Sequence, residues 1–140
     1  MFYGAIVITV VSNVLYHLFQ KSIPGNVNPM LSLAVTYGVA AIATVALLPL
    51  FPLQGELGAE LRKVNWASVG LGAVIVGLEL GFLLAYRAGW NINLASLVAN
   101  TTVALLLIPL GLVIFREQLT PLNTLGIVLA IAGLILVNFK

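Results

Sequence analysis

The chain has no cysteine, one histidine and very little charge. Without cysteine there is no disulfide and no thiolate metal site, and no sign of redox compartment. One histidine, His17, argues against a multi-histidine metal centre. No metal or other cofactor is expected. Charged residues make up 7% of the 140, against roughly 25% in soluble domains. So little charge cannot cover a water-exposed surface, so the main solvent is expected to be lipid. The net charge of +2 is small and scattered, which excludes a nucleic-acid footprint.

What the chain has instead is apolar length. Hydrophobic residues make up 61% of it, and its mean hydropathy is +1.15. A membrane span takes about 20 residues, which leaves room for about five. The expected spans are 2–19, 30–48, 66–86, 94–115 and 121–139, in one all-α membrane domain over 1–140. Met1-Phe2-Tyr3-Gly4 lacks the basic flank of a cleavable leader. The first break, Ser22 to Pro29, is dense in turn residues, and Asn28-Pro29 suits the start of the second helix. Pro49 and Pro52 end that helix. Gln54 to Asn65 reads as a polar connector, either a short surface helix or a solvated loop. Pro109 lies inside span four and is expected to kink it, while Thr120-Pro121 reads as the cap and first turn of span five.

Glu79 is the one carboxylate inside an apolar run. A charge at bilayer depth is costly and marks a site or a buried partner. Its flanks, Gly77 and Gly81, are four apart and share a helix face suited to close helix contact. At about 100° per residue, Glu79 points away from that face. Gly126 and Gly133 give span five a similar small-residue face. All four glycines are expected in helix packing or a dimer contact.

Other polar residues fall in the same half of the membrane as Glu79. In span one, Thr9, Asn13, Tyr16, His17 and Gln20 form one helical stripe. Ser32, Thr36 and Tyr37 follow in span two, and Asn93, Ser96 and Asn100 in span four. With alternating span directions, these groups outline a vestibule with Glu79 at its floor. The apolar stretches 71–76 and 103–112 would close its other side. Single Ser and Thr residues in membrane helices usually satisfy a neighbour's backbone, so they carry less weight. The candidate substrate- and proton-binding residues are Glu79, Asn13, Tyr16, His17, Tyr37 and Asn100. His17, nearer the interface, reads equally well as a structural group.

Five spans put the two termini on opposite sides. One side then carries Arg62, Lys63 and Arg116, and the other Lys21, Arg87 and Lys140. The tie removes the bias that normally orients a membrane protein. Insertion both ways, and an antiparallel homodimer of inverted copies, are expected.

Three segments resemble the C-terminal part of an EamA domain, of the drug/metabolite transporter superfamily. They are Ala85-Tyr86-Arg87-Ala88-Gly89, Phe115-Arg116-Glu117-Gln118-Leu119-Thr120, and the final run Gly126 to Gly133. Arg116 stands where glycine is common in that family, and Pro109 lies later than the family's usual proline. Most members carry two inverted five-helix domains, so the resemblance implies that this chain is one half and works as a dimer. The small multidrug resistance transporters of the same superfamily carry their essential glutamate in the first helix. Here Asn13 is the first-helix residue, so their mechanism does not transfer.

The expectation is a secondary, alternating-access exporter of a small metabolite or cationic compound, in a bacterial cytoplasmic membrane and in contact with lipid. Glu79 would trade a proton for the substrate, while Asn13, Tyr16, Tyr37 and Asn100 orient it. The alternatives are an accessory membrane subunit and a lipid-linked sugar carrier. One acid without a second catalytic group argues against an enzyme.

Overall fold

The structure is a computed structural model that describes residues 2–116 and 118–138. Glu117, Phe139 and Lys140, which enter the expected loop, final span and charge count, lie outside the described residues. The helices fall into two compact units, 1–88 and 89–140. The described residues form helices and turns, with no strand.

The first unit holds α1 (Phe2–Ser22), α2 (Pro29–Leu47), a short α3 (Leu57–Lys63) and α4 (Trp66–Arg87). α1 runs past its expected end because Ser22 turns its hydroxyl back to the Leu18 carbonyl, 2.8 Å away. That bond satisfies a last-turn acceptor within the helix. The chain then reverses through a turn in which the Val27 amide donates to the Pro24 carbonyl. Asn28 caps α2: its side-chain oxygen accepts from the amides of Met30 and Leu31, at 2.9 and 3.2 Å. Pro29 follows in the first turn, where its missing N–H costs nothing. α2 tightens into a 3₁₀ turn over Leu48–Leu50, around Pro49. The polar connector contains a helix, α3, along which Lys63 pairs with Glu60 one turn earlier. Asn65 caps α4 by accepting from the Ala67 amide at 3.0 Å.

α4 organises this unit. Both α1 and α2 pack against it, but not against each other. Leu83 of α4 and Leu33 of α2 are almost fully buried, at 1% and 2% exposed. The two flanking helices therefore straddle α4 and leave a wedge between them.

The second unit is a helical hairpin of α5 (Ile92–Ile114) and α6 (Pro121–Asn138), which pack on each other. Pro109 stays inside α5. Thr120 caps α6, its hydroxyl oxygen accepting from the Asn123 amide at 3.2 Å. The ends of α4 and α5 make an instructive pair. After α4, Gly89 takes the left-handed conformation, at φ 93°. After α5, Arg116 takes it, at φ 54°. This is the position just past a helix end where glycine is favoured, because a side chain there crowds the backbone.

α1, α2, α4 and α5 are each long and apolar enough to cross a membrane. The apolar stretch of α6, Pro121–Val137, is shorter. α1, α2, α4, α5 and α6 overlap the five segments expected from the sequence, and α3 adds a short sixth helix.

Candidate functional site

The wedge between α1 and α2 holds a cavity of about 510 Å³. α1 contributes Tyr16, Phe19 and Gln20 to its wall, and α2 contributes Leu31, Ser32, Val35 and Thr36. Ile23 and Val27, at the ends of the reversing turn, close one end. From α4 the wall takes Glu79 alone. The cavity thus lies where α1 ends and α2 begins, and Glu79 is its one charged residue.

Glu79 is 8% exposed. Its glycine neighbours face elsewhere: a side chain added at Gly77 or Gly81 would meet nothing within 4 Å. The same open space lies around Gly126 and Gly133. Acid and glycines therefore occupy different faces of α4, as the 100° spacing requires. Among the described residues Lys63 pairs with Glu60, and no ion pair there involves Glu79. The phenols of Tyr16 and Tyr37 lie within its electrostatic reach.

Gln20 ties α1 to α4 beside the acid. Its amide nitrogen donates to the Glu79 backbone carbonyl at 3.1 Å and to the Tyr16 hydroxyl at 3.3 Å. A carbonyl at that distance demands an N–H opposite it, which fixes the orientation of the Gln20 amide. The Gln20 carbonyl oxygen is then left buried, without a hydrogen-bond partner among the described residues. Tyr37 is half-buried, and its hydroxyl is likewise unpartnered there.

Tyr16 of the wall is also part of an aromatic cluster at the α1–α4 contact, edge-on to His17 and Phe82. A 2.8 Å hydrogen bond joins the Tyr86 hydroxyl to His17 Nδ1. The His17 ring meets Phe82 edge-on, with centroids 4.8 Å apart, and Phe82 stacks against Tyr86. Lys21 lies over the Tyr86 ring, 5.3 Å from its centre. His17 is 6% exposed and outside the cavity wall. Its ring also meets that of Tyr86 edge-on.

Arg87 closes the α4 end of this arrangement. Its guanidinium donates to the carbonyls of Pro24 and Val27, at 3.2 and 2.8 Å. It thereby pins the turn whose Ile23 and Val27 bound the cavity.

Of the expected site residues, the cavity gathers Glu79 and Tyr16. Asn13 is exposed one turn earlier on α1 and does not reach the wall. Asn100 is exposed on α5, in the second unit. Gln20, Ser32 and Thr36 carry more of the wall than the sequence suggested. Gln20 was within reach of the sequence, since it follows Tyr16 by one turn on the polar stripe. Arg87 was not, because it bonds backbone carbonyls and these leave no trace in a sequence pattern.

Long apolar helices, with one acid in the wall of a mostly apolar cavity, are the architecture of an integral membrane protein. The EamA-like transporter family matches residues 2–139, and the chain belongs to that family of membrane transporters. No curated protein and no solved structure matches it.

Proposed function

We propose that the chain is a secondary transporter working by alternating access, with the Glu79 cavity as its substrate site. The cargo is a small metabolite or cationic compound. The observation that carries this reading is the position of Glu79, the single charge in the wall of a cavity of about 510 Å³. Small-molecule sites commonly enclose roughly 300–1,000 Å³. An unpaired acid in such a place attracts a cation or a proton, and competition between the two is the simplest form of coupled exchange.

Both units together supply the five spans of one domain. The functional form is a homodimer of inverted copies in a bacterial cytoplasmic membrane. The tie in flanking charge, three basic residues on either side, supports insertion in both orientations. The open faces at Gly77, Gly81, Gly126 and Gly133 leave room for another helix to approach closely. Tyr16 and Gln20 orient the cargo from α1, and Tyr37 lies within reach from α2.

Transport into vesicles by wild type and by Glu79→Gln tests the reading. The variant keeps the shape of the site and removes its charge. Loss of transport, with the oligomer intact, supports it, and full transport removes Glu79 from the mechanism.

A further inference from the structure

The connector between α2 and α4 presents an apolar stripe that no helix of the first unit covers. α3 packs against no other element of that unit. Leu57 and Leu61 are one turn apart along it, and Val64 ends it a turn later. At about 100° per residue these three share one narrow stripe, while Ala59, Arg62 and Lys63 fall outside it. Leu57, Leu61 and Val64 are 58%, 61% and 56% exposed.

The flanking helices restrict where that stripe can lie. Pro29–Leu50 and Trp66–Arg87 are each long and apolar enough to cross a membrane, so the chain leaves the bilayer near Leu50 and returns at Trp66. Two residues, Val64 and Asn65, separate α3 from α4. An extended residue spans at most about 3.5 Å, so α3 ends within about 10 Å of Trp66. That reach is comparable with a headgroup layer, about 5–8 Å thick. Phe51 and Trp66, both exposed, flank the connector. Aromatic residues collect at this boundary between lipid and water. The charges of the connector cancel, Glu56 and Glu60 against Arg62 and Lys63. Attraction to an anionic surface is therefore not what would hold it there.

We infer that α3 lies in the plane of the membrane interface, with lipid covering Leu57, Leu61 and Val64. The stripe rests at the boundary between headgroups and acyl chains, and the charged residues stay among headgroups and water. Amphipathic surface helices bind membranes in this way. α3 thereby anchors the start of α4 at the surface. The inference is independent of whether the Glu79 cavity binds cargo.

Nitroxide labels test it on the full chain. With no native cysteine, Leu57→Cys, Ala59→Cys, Leu61→Cys and Arg62→Cys each carry a single label. The variants are placed in phosphatidylcholine nanodiscs. Collisions with oxygen, which concentrates among acyl chains, are compared with those of a water-soluble nickel chelate. The ratio of oxygen to nickel collisions is expected to be several-fold higher at 57 and 61 than at 59 and 62. The pattern should be the same when anionic phosphatidylglycerol is added. One label on the stripe and one off it suffice if a variant fails to fold. Equal ratios at all four sites, with free access for nickel, would describe a solvated loop and overturn the inference. Labels at 57 and 61 shielded from both reagents would mean that protein, such as a second copy, covers the stripe, and would overturn it too. A pattern that appears only with the anionic lipid would overturn the apolar attachment.

Discussion

The Gln20 side chain reaches across the α1–α4 contact and donates to the backbone carbonyl of Glu79 itself, at 3.1 Å. The acid is thus held through its main chain by a residue of another helix. The side chain of Glu79 stays available to the cavity. Because α1 and α2 each pack on α4 and not on one another, the width of the cavity depends on how firmly each is fixed to α4, and Gln20 is one of the fixings on the α1 side.

Replacing Gln20 with leucine should therefore weaken the α1–α4 contact. Hydrogen bonds between membrane helices contribute about 1 kcal/mol, and a loss of that size is expected. Unfolding in mixed detergent micelles measures it. A variant as stable as wild type would mean that the bond contributes nothing net.

His17 and Tyr86 should behave as a coupled pair. A double-mutant cycle with His17→Phe and Tyr86→Phe keeps the rings and removes their 2.8 Å bond. The expected coupling is about 0.5–1.5 kcal/mol. Additive single effects would show that the ring packing holds this contact and the hydrogen bond does not.

Arg87→Ala should loosen the turn between α1 and α2. The chain contains no cysteine, so a single introduced thiol reports access cleanly. With Ser32→Cys in the cavity wall, the rate of labelling by a water-soluble maleimide is expected to rise several-fold when Arg87 is also replaced. Arg87→Lys should give a rate nearer to wild type, since one nitrogen, Nη2, meets both carbonyls and an ammonium also carries N–H bonds for two acceptors. An unchanged rate in Arg87→Ala would remove Arg87 from control of the cavity end.

Arg116→Gly should stabilise the protein. A side chain in the left-handed region costs roughly 1–2 kcal/mol, and glycine returns part of that through its greater freedom when unfolded, about 0.4–1 kcal/mol. The net gain is expected to be roughly 0.5–1 kcal/mol, read from thermal unfolding in detergent. A loss of stability would show that the Arg116 side chain makes a contact worth more than the strain.

These cases also show what the sequence could and could not reveal. The helices were legible because apolar length and caps such as Asn28 and Thr120 are local signals. Glu79 was legible because charge is rare at such depth. The departure at Arg116 was visible as an arginine where the family commonly has glycine. The left-handed backbone supplies the reason. The membership of the cavity wall was not legible. Tyr16 and Asn13 lie on the same polar stripe, yet only Tyr16 falls where α1 turns toward α2. Stripe membership gives direction around a helix axis, while the wedge depends on where along the axis two neighbours diverge. Gln20 shows the same limit, since nothing in its spacing says that its partner is a carbonyl on another helix.

The central claim is that the Glu79 carboxylate is the group through which cargo and protons are exchanged. The most direct measurement uses proteoliposomes with a trapped pH indicator, screened with organic amines and neutral metabolites against protein-free vesicles. Wild type should accumulate at least one cargo with a matching change of internal pH. Glu79→Gln should show neither, while running as the same oligomer. Transport by Glu79→Gln at the wild-type rate, with the same pH change, would contradict the account.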